Sequence, residues 1–303
     1  MRRLVLGTRG SELARAQTAL VADALHSVDP GIEVDIEIIT TRGDEGSAPV
    51  DRRAGRKGLF TSEIERALLE GKIDVAVHSA KDLPSEMTSG LTIAAVLPRA
   101  RVDDVLVTKQ PADLMSVSTV ATGSVRRQYQ LRALRPDLDV VELRGNVPTR
   151  LRKLLMNDWD GVVLARAGLE RLGFDCTAGT LEFEGRRLQT APLPQEHFLP
   201  AGGQGIIAIQ TRADDAATMA RVDHDETHRC LRAEREFLRL LHGDCGTPVG
   251  VFALLEDAEM TLRAQVFAEG EFEPKAGMLR MPVAEQQPEQ LAAALFQSMY
   301  GEK

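Results

Sequence analysis

The chain has 303 residues, enough for two or three domains, and its 43% hydrophobic and 27% charged residues are the proportions of an ordinary globular protein. Its 37 basic and 45 acidic residues leave a net charge of −8, which argues against bulk attraction to nucleic acid or to an anionic membrane surface. No apolar run approaches membrane-spanning length, the N-terminus lacks the pattern of a signal peptide, and Cys176, Cys230 and Cys245 fit no disulfide framework. The expectation is a cytoplasmic protein with reduced thiols.

Residues 4–6 form a short apolar run that ends in Gly7-Thr-Arg-Gly-Ser11, and Leu13, Ala16, Leu20, Ala24 and Leu25 then follow at helical spacing. Ser11 suits the N-cap, so Arg9 falls in a loop beside a helix N-terminus, where free N–H groups and the dipole favour an anion. Residues 34–39 alternate as a strand. The stretch from Thr41 to Phe60 is polar, rich in glycine and charge, and longer than most loops; such loops are functional lids or disordered, and the part from Thr41 to Lys57 is the lid candidate. Ser62-Glu-Ile-Glu65 has the form of a capping box, and the helix it opens turns Ile64, Ala67 and Leu68 inward and stops at Gly71.

Val75 and Val77 mark a buried strand that leads into His78-Ser-Ala-Lys-Asp-Leu-Pro84. Polar residues just past the carboxyl end of such a strand are where open α/β sheets bind ligands. Asp82 is the acid–base candidate, and His78 reads as a hydrogen-bonded structural residue. Residues 91–97, 105–108 and 117–121 continue the strand pattern. Ser124 then caps a helix whose first turn holds Arg126 and Arg127. Positive charge there opposes the helix dipole, so the pair points to an anionic partner.

Residues 140–143 run into Arg144-Gly-Asn-Val-Pro-Thr-Arg150, with Asn146 as cap and Pro148 in the first turn, and residues 161–164 run into Ala165-Arg-Ala-Gly-Leu-Glu-Arg171. Arginines thus recur at strand–helix junctions, and their planar forks suit carboxylates. Cys176 falls in a turn and reads as inert. Residues 190–200 look irregular, and the Gly202–Gly205 turn opens the strand 206–210. It matches neither a dinucleotide fingerprint nor a P-loop.

An amphipathic helix spans 225–241 and delivers Cys245 into the turn His242-Gly-Asp-Cys-Gly-Thr-Pro248, where flanking glycines leave the thiol uncrowded. A hairpin (251–255 and 261–267), a third strand (278–283) and a terminal helix (291–300) make the tail a small α+β unit. His224, His228, Cys230, His242 and Cys245 could be read as metal ligands. Amphipathic helix spacing accounts for the first two histidines, and no metal is expected.

Taken in order, Gly-Thr-Arg-Gly-Ser11, Thr-Arg-Gly-Asp44, Lys-Gly-Leu-Phe60, Ala-Val-His-Ser-Ala-Lys-Asp-Leu-Pro84, Ser-Val-Arg-Arg127, Leu-Arg-Gly-Asn146, Ala-Gly-Leu-Glu-Arg171, Gly-Gln-Gly205 and Gly-Asp-Cys245 resemble the blocks of the porphobilinogen deaminases (hydroxymethylbilane synthases) across essentially the whole chain. The resemblance implies an α/β pair of periplasmic-binding-protein-like lobes plus a small C-terminal α+β domain. Residues 1–98 and 200–222 would form the first lobe, 99–199 the second, and 223–303 the third domain.

It also implies a dipyrromethane cofactor joined covalently to Cys245, with Asp82 as the catalytic carboxylate. Thr122, Ser124, Arg126, Arg127, Arg144 and Lys57 match cofactor-binding positions. Arg9, Ser11, Arg144, Arg150 and Arg171 match substrate-binding positions. The implied substrate is porphobilinogen, four of which condense into a linear tetrapyrrole with loss of ammonia. This chain departs from the family pattern at Glu12 (usually proline), Arg53 (often lysine), Ala121 and Gly123 (a Gly-Thr-Ser triplet) and around the cysteine, at Asp244, Gly246 and Thr247. A two-lobed small-anion binding protein is the rival reading, and it leaves Cys245 unexplained.

Overall fold

A computed structural model describes residues 3–41, 61–243, 247–282 and 287–301. In chain order the elements are β1 (Arg3–Thr8), α1 (Glu12–Val28), β2 (Glu33–Ile38), α2 (Ser62–Leu69), β3 (Val75–Ser79), a one-turn 3-10 helix (Ala80–Asp82) and β4 (Leu91–Val96). Next come β5 (Asp104–Thr108), β6 (Thr119–Ala121), α3 (Val125–Leu134), β7 (Asp139–Val141), α4 (Val147–Met156), β8 (Gly161–Ala165), α5 (Arg166–Arg171), β9 (Thr180–Phe183) and β10 (Arg186–Pro192). The chain closes with β11 (Ile207–Arg212), a 3-10 stretch (Ala213–Val222), α6 (Asp225–Leu240), β12 (Val249–Glu256), β13 (Glu259–Val266), β14 (Lys275–Pro282) and α7 (Pro288–Tyr300).

Three sheets result. The first has the order β2-β1-β3-β11-β4, with β1 parallel to β2 and β3 and with β11 antiparallel to both its neighbours. The second has the order β7-β6-β8-β5-β10-β9, in which β6 runs parallel to β7 and β8 while β5 runs against β8 and β10. The chain leaves the first sheet after β4, builds the second, and returns to slot β11 between β3 and β4. Two crossings of this kind define a pair of α/β lobes of the periplasmic-binding-protein type. The third sheet is an antiparallel β12-β13-β14 meander, covered by α6 and α7 to give a small α+β unit.

Burial follows the two periodicities. On β5 and β8, Val105, Val107, Val162 and Leu164 pack toward Leu151, Leu154 and Leu169, while Leu106 and Val163 pack the other way, toward Leu131 and Phe198. Both faces of that mixed sheet are therefore covered, and its strands are apolar on both sides. In the first lobe Val21 and Leu25 of α1 pack on Leu4, Leu6, Val75 and Val77. In the third unit Phe237 of α6 and Leu295 of α7 pack on Val251 and Leu262.

The structure differs from the sequence reading in two places. Thr61, not Ser62, is the residue before α2, and no capping box closes there: Glu65 is buried and accepts from Thr88 Oγ1 and Gln210 Nε2 (each 2.9 Å) instead of reaching back. Tertiary hydrogen bonds outcompeted the local one. Residues 190–192, read as irregular, belong to β10, whose hairpin with β9 turns at Glu184 and Gly185, both at positive φ. Proline at 192 masked that strand end.

One ion pair sits where the three units meet. Arg99, on the outgoing crossing, makes a fork to Glu234 of α6 (Nη1–Oε1 2.6 Å, Nη2–Oε2 3.2 Å) and also donates to the carbonyls of Gln204 (3.0 Å) and Ala253 (3.2 Å). Glu234 is fully buried, and it accepts in addition from the backbone N–H groups of Gly203 (2.6 Å) and Ala253 (2.8 Å). A buried pair survives desolvation only when its remaining lone pairs and protons are satisfied, as here. Glu234→Ala strands the Arg99 guanidinium and two backbone donors, so urea unfolding should show a loss of about 3–5 kcal/mol. A loss under about 1 kcal/mol, the range of an exposed pair, would show that the junction is not held this way.

Candidate functional site

The parallel strands of both lobes end at polar turns. At the end of β3, Ser79 exchanges hydrogen bonds with Gln17 of α1 (2.8 and 3.1 Å), and Ala80 N–H donates to Ile206 O (3.0 Å). Gly203, at φ +76°, lies so close that a Cβ there would be 2.9 Å from Ala80 C and Lys81 N. Only glycine fits, for want of space and because of the left-handed backbone. The 3-10 turn so held presents Lys81 and Asp82, both half-buried. The Asp82 carboxylate has no hydrogen-bond or ion-pair partner among the described residues.

Burial pushes the Lys81 ammonium down to about 8; Arg127 and Arg126 push the same way, while Asp82 and Asp104 oppose them. Lys81 therefore lies within electrostatic reach of Arg126 and Arg127 on α3, which belongs to the second sheet's lobe. Below the turn, His78 Nε2 lies 3.1 Å from Gln210 Oε1, and Gln210 Nε2 donates to Glu65. Burial lowers His78 to about 4; the Gln210 hydrogen bond opposes this and the Arg9 charge adds to it. His78 is a neutral, structural histidine.

On the second lobe, Thr122 Oγ1 accepts from Ser124 N–H (3.2 Å), and Ser124 Oγ caps α3 by accepting from Arg127 N–H (3.5 Å). The cap presents two buried guanidiniums. Arg126 donates through Nη2 to Asp104 Oδ2 (2.7 Å) and through Nη1 to Gln130 Oε1 (2.8 Å) and Leu199 O (2.7 Å). Arg127 donates through Nη2 to Asp104 Oδ1 (2.7 Å) and through Nη1 to Val163 O (2.8 Å). Burial would raise the Asp104 carboxyl, but the two guanidiniums outweigh it and hold the group far below the usual carboxylate range. Gln204 Nε2 adds a donor to Oδ1 at 2.9 Å. The anion that the sequence called for opposite this pair is thus supplied in part by the protein itself. The sequence reading missed Asp104, although an aspartate opening an apolar strand signals a buried carboxylate in need of partners.

The other sequence-predicted residues fall at the same strand ends. Arg9 follows β1, and Ser11 Oγ caps α1 by accepting from Ala14 N–H (3.2 Å). Arg144 is exposed and paired with Glu142 (2.7 Å), and Arg150 donates to Gly145 O (2.7 Å) at the start of α4. Arg171 donates to Gly205 O (2.6 Å), and burial draws its pKa down to about 10. Lys57, the expected lid and Cys245 lie outside the described residues. α6 forms over the span read for it, with His242 at φ +51° past its end. His224 caps α6 through Nδ1, His228 pairs with Asp223 (2.9 Å) and Cys230 is buried, so each has a role in the packing.

The model of the "Porphobilinogen deaminase, dipyromethane cofactor binding domain" matches residues 4–220, and that of the family's C-terminal domain matches 228–300. The chain belongs to the porphobilinogen deaminase family. A porphobilinogen deaminase of Roseiflexus sp. (strain RS-1) is 46% identical over 272 residues, 88% of this chain and 86% of the relative. One from Syntrophomonas wolfei is 42% identical over 305 residues, 98% of this chain and 96% of the relative. Among solved structures, an arginine periplasmic binding protein from Legionella pneumophila is similar at 10% identity and a TM-score of 0.40, covering 80% of this chain and 99% of that one.

The family's cofactor carries carboxylates, and the residues present fit it. The Nε atoms of Arg126 and Arg127 are both buried without a partner among the described residues. An unmet buried donor costs about 1–3 kcal/mol, which a ligand carboxylate would recover. Three cations (Lys81, Arg126, Arg127) face two carboxylates there, leaving net positive charge.

The neutral state of His78 has a stability consequence. Its folded pKa lies below the unfolded value, so its contribution is complete above about pH 6.5 and is lost as pH falls through about 4. His78→Gln should flatten the decline in urea-measured stability across that window. A decline as steep as in the native protein would mean that another group titrates there.

Proposed function

We propose that this chain condenses four molecules of porphobilinogen stepwise into hydroxymethylbilane, releasing four molecules of ammonia and taking up one of water, which breaks the bond to the primer and supplies the product's hydroxyl, with Asp82 as catalytic carboxylate and Cys245 as covalent anchor of the dipyrromethane. The observation that carries the reading is that Asp82, with no hydrogen-bond or ion-pair partner among the described residues, adjoins Lys81, whose ammonium lies within electrostatic reach of the buried Arg126–Arg127 pair.

Porphobilinogen is a pyrrole bearing two carboxylic side chains and an aminomethyl group. When ammonia leaves, the carbon–nitrogen bond breaks and positive charge spreads over the ring. Asp82 holds that charge at the ring N–H and takes up the proton released when the new carbon–carbon bond forms. The dipyrromethane, when bound, supplies the nucleophilic pyrrole carbon and a primer that stays attached between cycles. Arg126, Arg127, Ser124, Thr122, Arg144 and Lys57 would bind its carboxylates, and Lys81 would join them. Arg9, Ser11, Arg144, Arg150 and Arg171 bind the incoming substrate. Tethering through Cys245 makes each addition effectively intramolecular.

The same proposal divides the chain into a first lobe (1–98 and 200–222), a second lobe (99–199) and a third domain (223–303). It sets the protein in the cytoplasm as a monomer working in tetrapyrrole synthesis. Supporting it, Cys176 and Cys230 are free and buried, and no helix among the described residues is long and apolar enough to cross a membrane.

Intact-protein mass spectrometry of active protein should show a surplus equal to two linked pyrroles, lost in Cys245→Ala. Asp82→Asn should keep the surplus and lose about 100-fold or more in kcat. Active protein of unmodified mass would remove Cys245 as anchor, and near-native turnover in Asp82→Asn would remove Asp82 as catalyst.

A further inference from the structure

The helix that leads to Cys245 also grips the Asp82 turn from both sides. On the upstream side, Glu234 of α6 accepts from Gly203 N–H (2.6 Å), and the Gly203 backbone lies against Ala80 and Lys81. On the downstream side, the next residue of the same helix, Arg235, donates through Nη2 to Pro84 O (2.8 Å) and Ser85 O (3.2 Å) and lies 3.0 Å from Met87 Sδ. Residues 84–87 have neither helix nor strand structure, so their carbonyls have no ladder to satisfy them. One guanidinium from another unit does so.

Arg235 is half-buried, and burial draws its pKa down to about 10 against the opposing charge of Glu65, so it is a cation at neutral pH. Successive residues on a helix point about 100° apart, which lets two neighbours reach opposite flanks of one turn. An arginine in this place has a further merit: its donors are held in a rigid planar fork, so several acceptors are fixed by one side chain.

We infer that Arg235 is a positioning residue for Asp82: it sets the catalytic carboxylate relative to α6. The inference rests on the reading of Asp82 as the catalytic group. Arg235 need not touch the substrate. Its removal lets the turn after Asp82 drift, and small misplacements of a reacting group are costly in turnover.

The test is a double-mutant cycle on the cofactor-loaded protein with Arg235→Met, Asp82→Asn and the double variant, read by single-turnover rate, KM and intact mass. Arg235→Met should keep its mass surplus and its KM within about twofold, and lose about tenfold in rate. In the Asp82→Asn background the same substitution should cost less than about twofold, because the group it acts through is already gone. If Arg235→Met does not fold, Arg235→Lys, which keeps the charge and one donor, carries the same cycle. Equal fold-losses in both backgrounds, or a loss of mass surplus or a rise in KM without a loss of rate, would overturn the inference while leaving Asp82 in its role. Near-native turnover in Asp82→Asn alone would overturn both.

Discussion

Two guanidiniums are buried side by side in this protein, and the Asp104 carboxylate between them makes that possible. Each oxygen takes one Nη2 at 2.7 Å, and Gln204 Nε2 completes Oδ1. Without that carboxylate, two like charges would be desolvated within contact of one another, at a cost of several kcal/mol per ion. With it, the arginines are fixed by five hydrogen bonds to protein acceptors, while each Nε is left over. The pair is neutralised enough to stay folded and cationic enough to attract an anion. Asp104 opens β5, the strand that follows the outgoing crossing, so this charge balance is tied to the point where the chain changes lobes.

The third unit is tied to both lobes by polar contacts. At the crossing between the lobes this is the Arg99–Glu234 fork, and on the first-lobe side it is the Arg235 donors. On the second-lobe side, Gln130 of α3 donates to Gln265 (2.7 Å), and Tyr129 accepts from Gly270 N–H (3.0 Å) while its ring packs near Phe267 and Phe272. Tyr129 and Gln130 lie on the same short helix as Arg126 and Arg127. The helix that presents the cationic pair and the turn that presents the carboxylate are therefore both referenced to the unit that carries the cysteine. A small set of directional hydrogen bonds gives such register better than apolar packing, which tolerates sliding.

The strand-end arginines are not equivalent. Arg126 and Arg127 are about 5% exposed and surrounded by fixed acceptors. Arg144, more than half exposed, pairs among the described residues with Glu142, an exposed pair worth little. Buried charge at the start of α3 is rigid and preorganised, whereas charge at the start of α4 can be redirected at small cost. An overall net charge of −8 surrounds this local positive region, so an anionic ligand is attracted to that region and not to the protein at large.

Local features of the chain were legible in its sequence, and features made by distant contacts were not. The caps at Ser11, Ser124 and Asn146 depend on residues three positions away, and each forms as expected. The carboxyl end of β3 could be read as a site because a buried Val-Ala-Val run stops abruptly at polar residues. The capping box expected at Ser62 failed because Glu65 finds partners at positions 88 and 210, which no local pattern contains. Asp104 and Arg235 escaped for the same reason. Each looks like an ordinary charge beside its sequence neighbours, and each takes its meaning from carbonyls or guanidiniums that only the fold brings near. The family's ordered blocks compensate for this blindness at positions proposed to meet ligand, such as Asp82 and Arg127. They give less guidance about residues that work by holding those positions still, and for these the hydrogen-bond partners of the folded chain are the primary source.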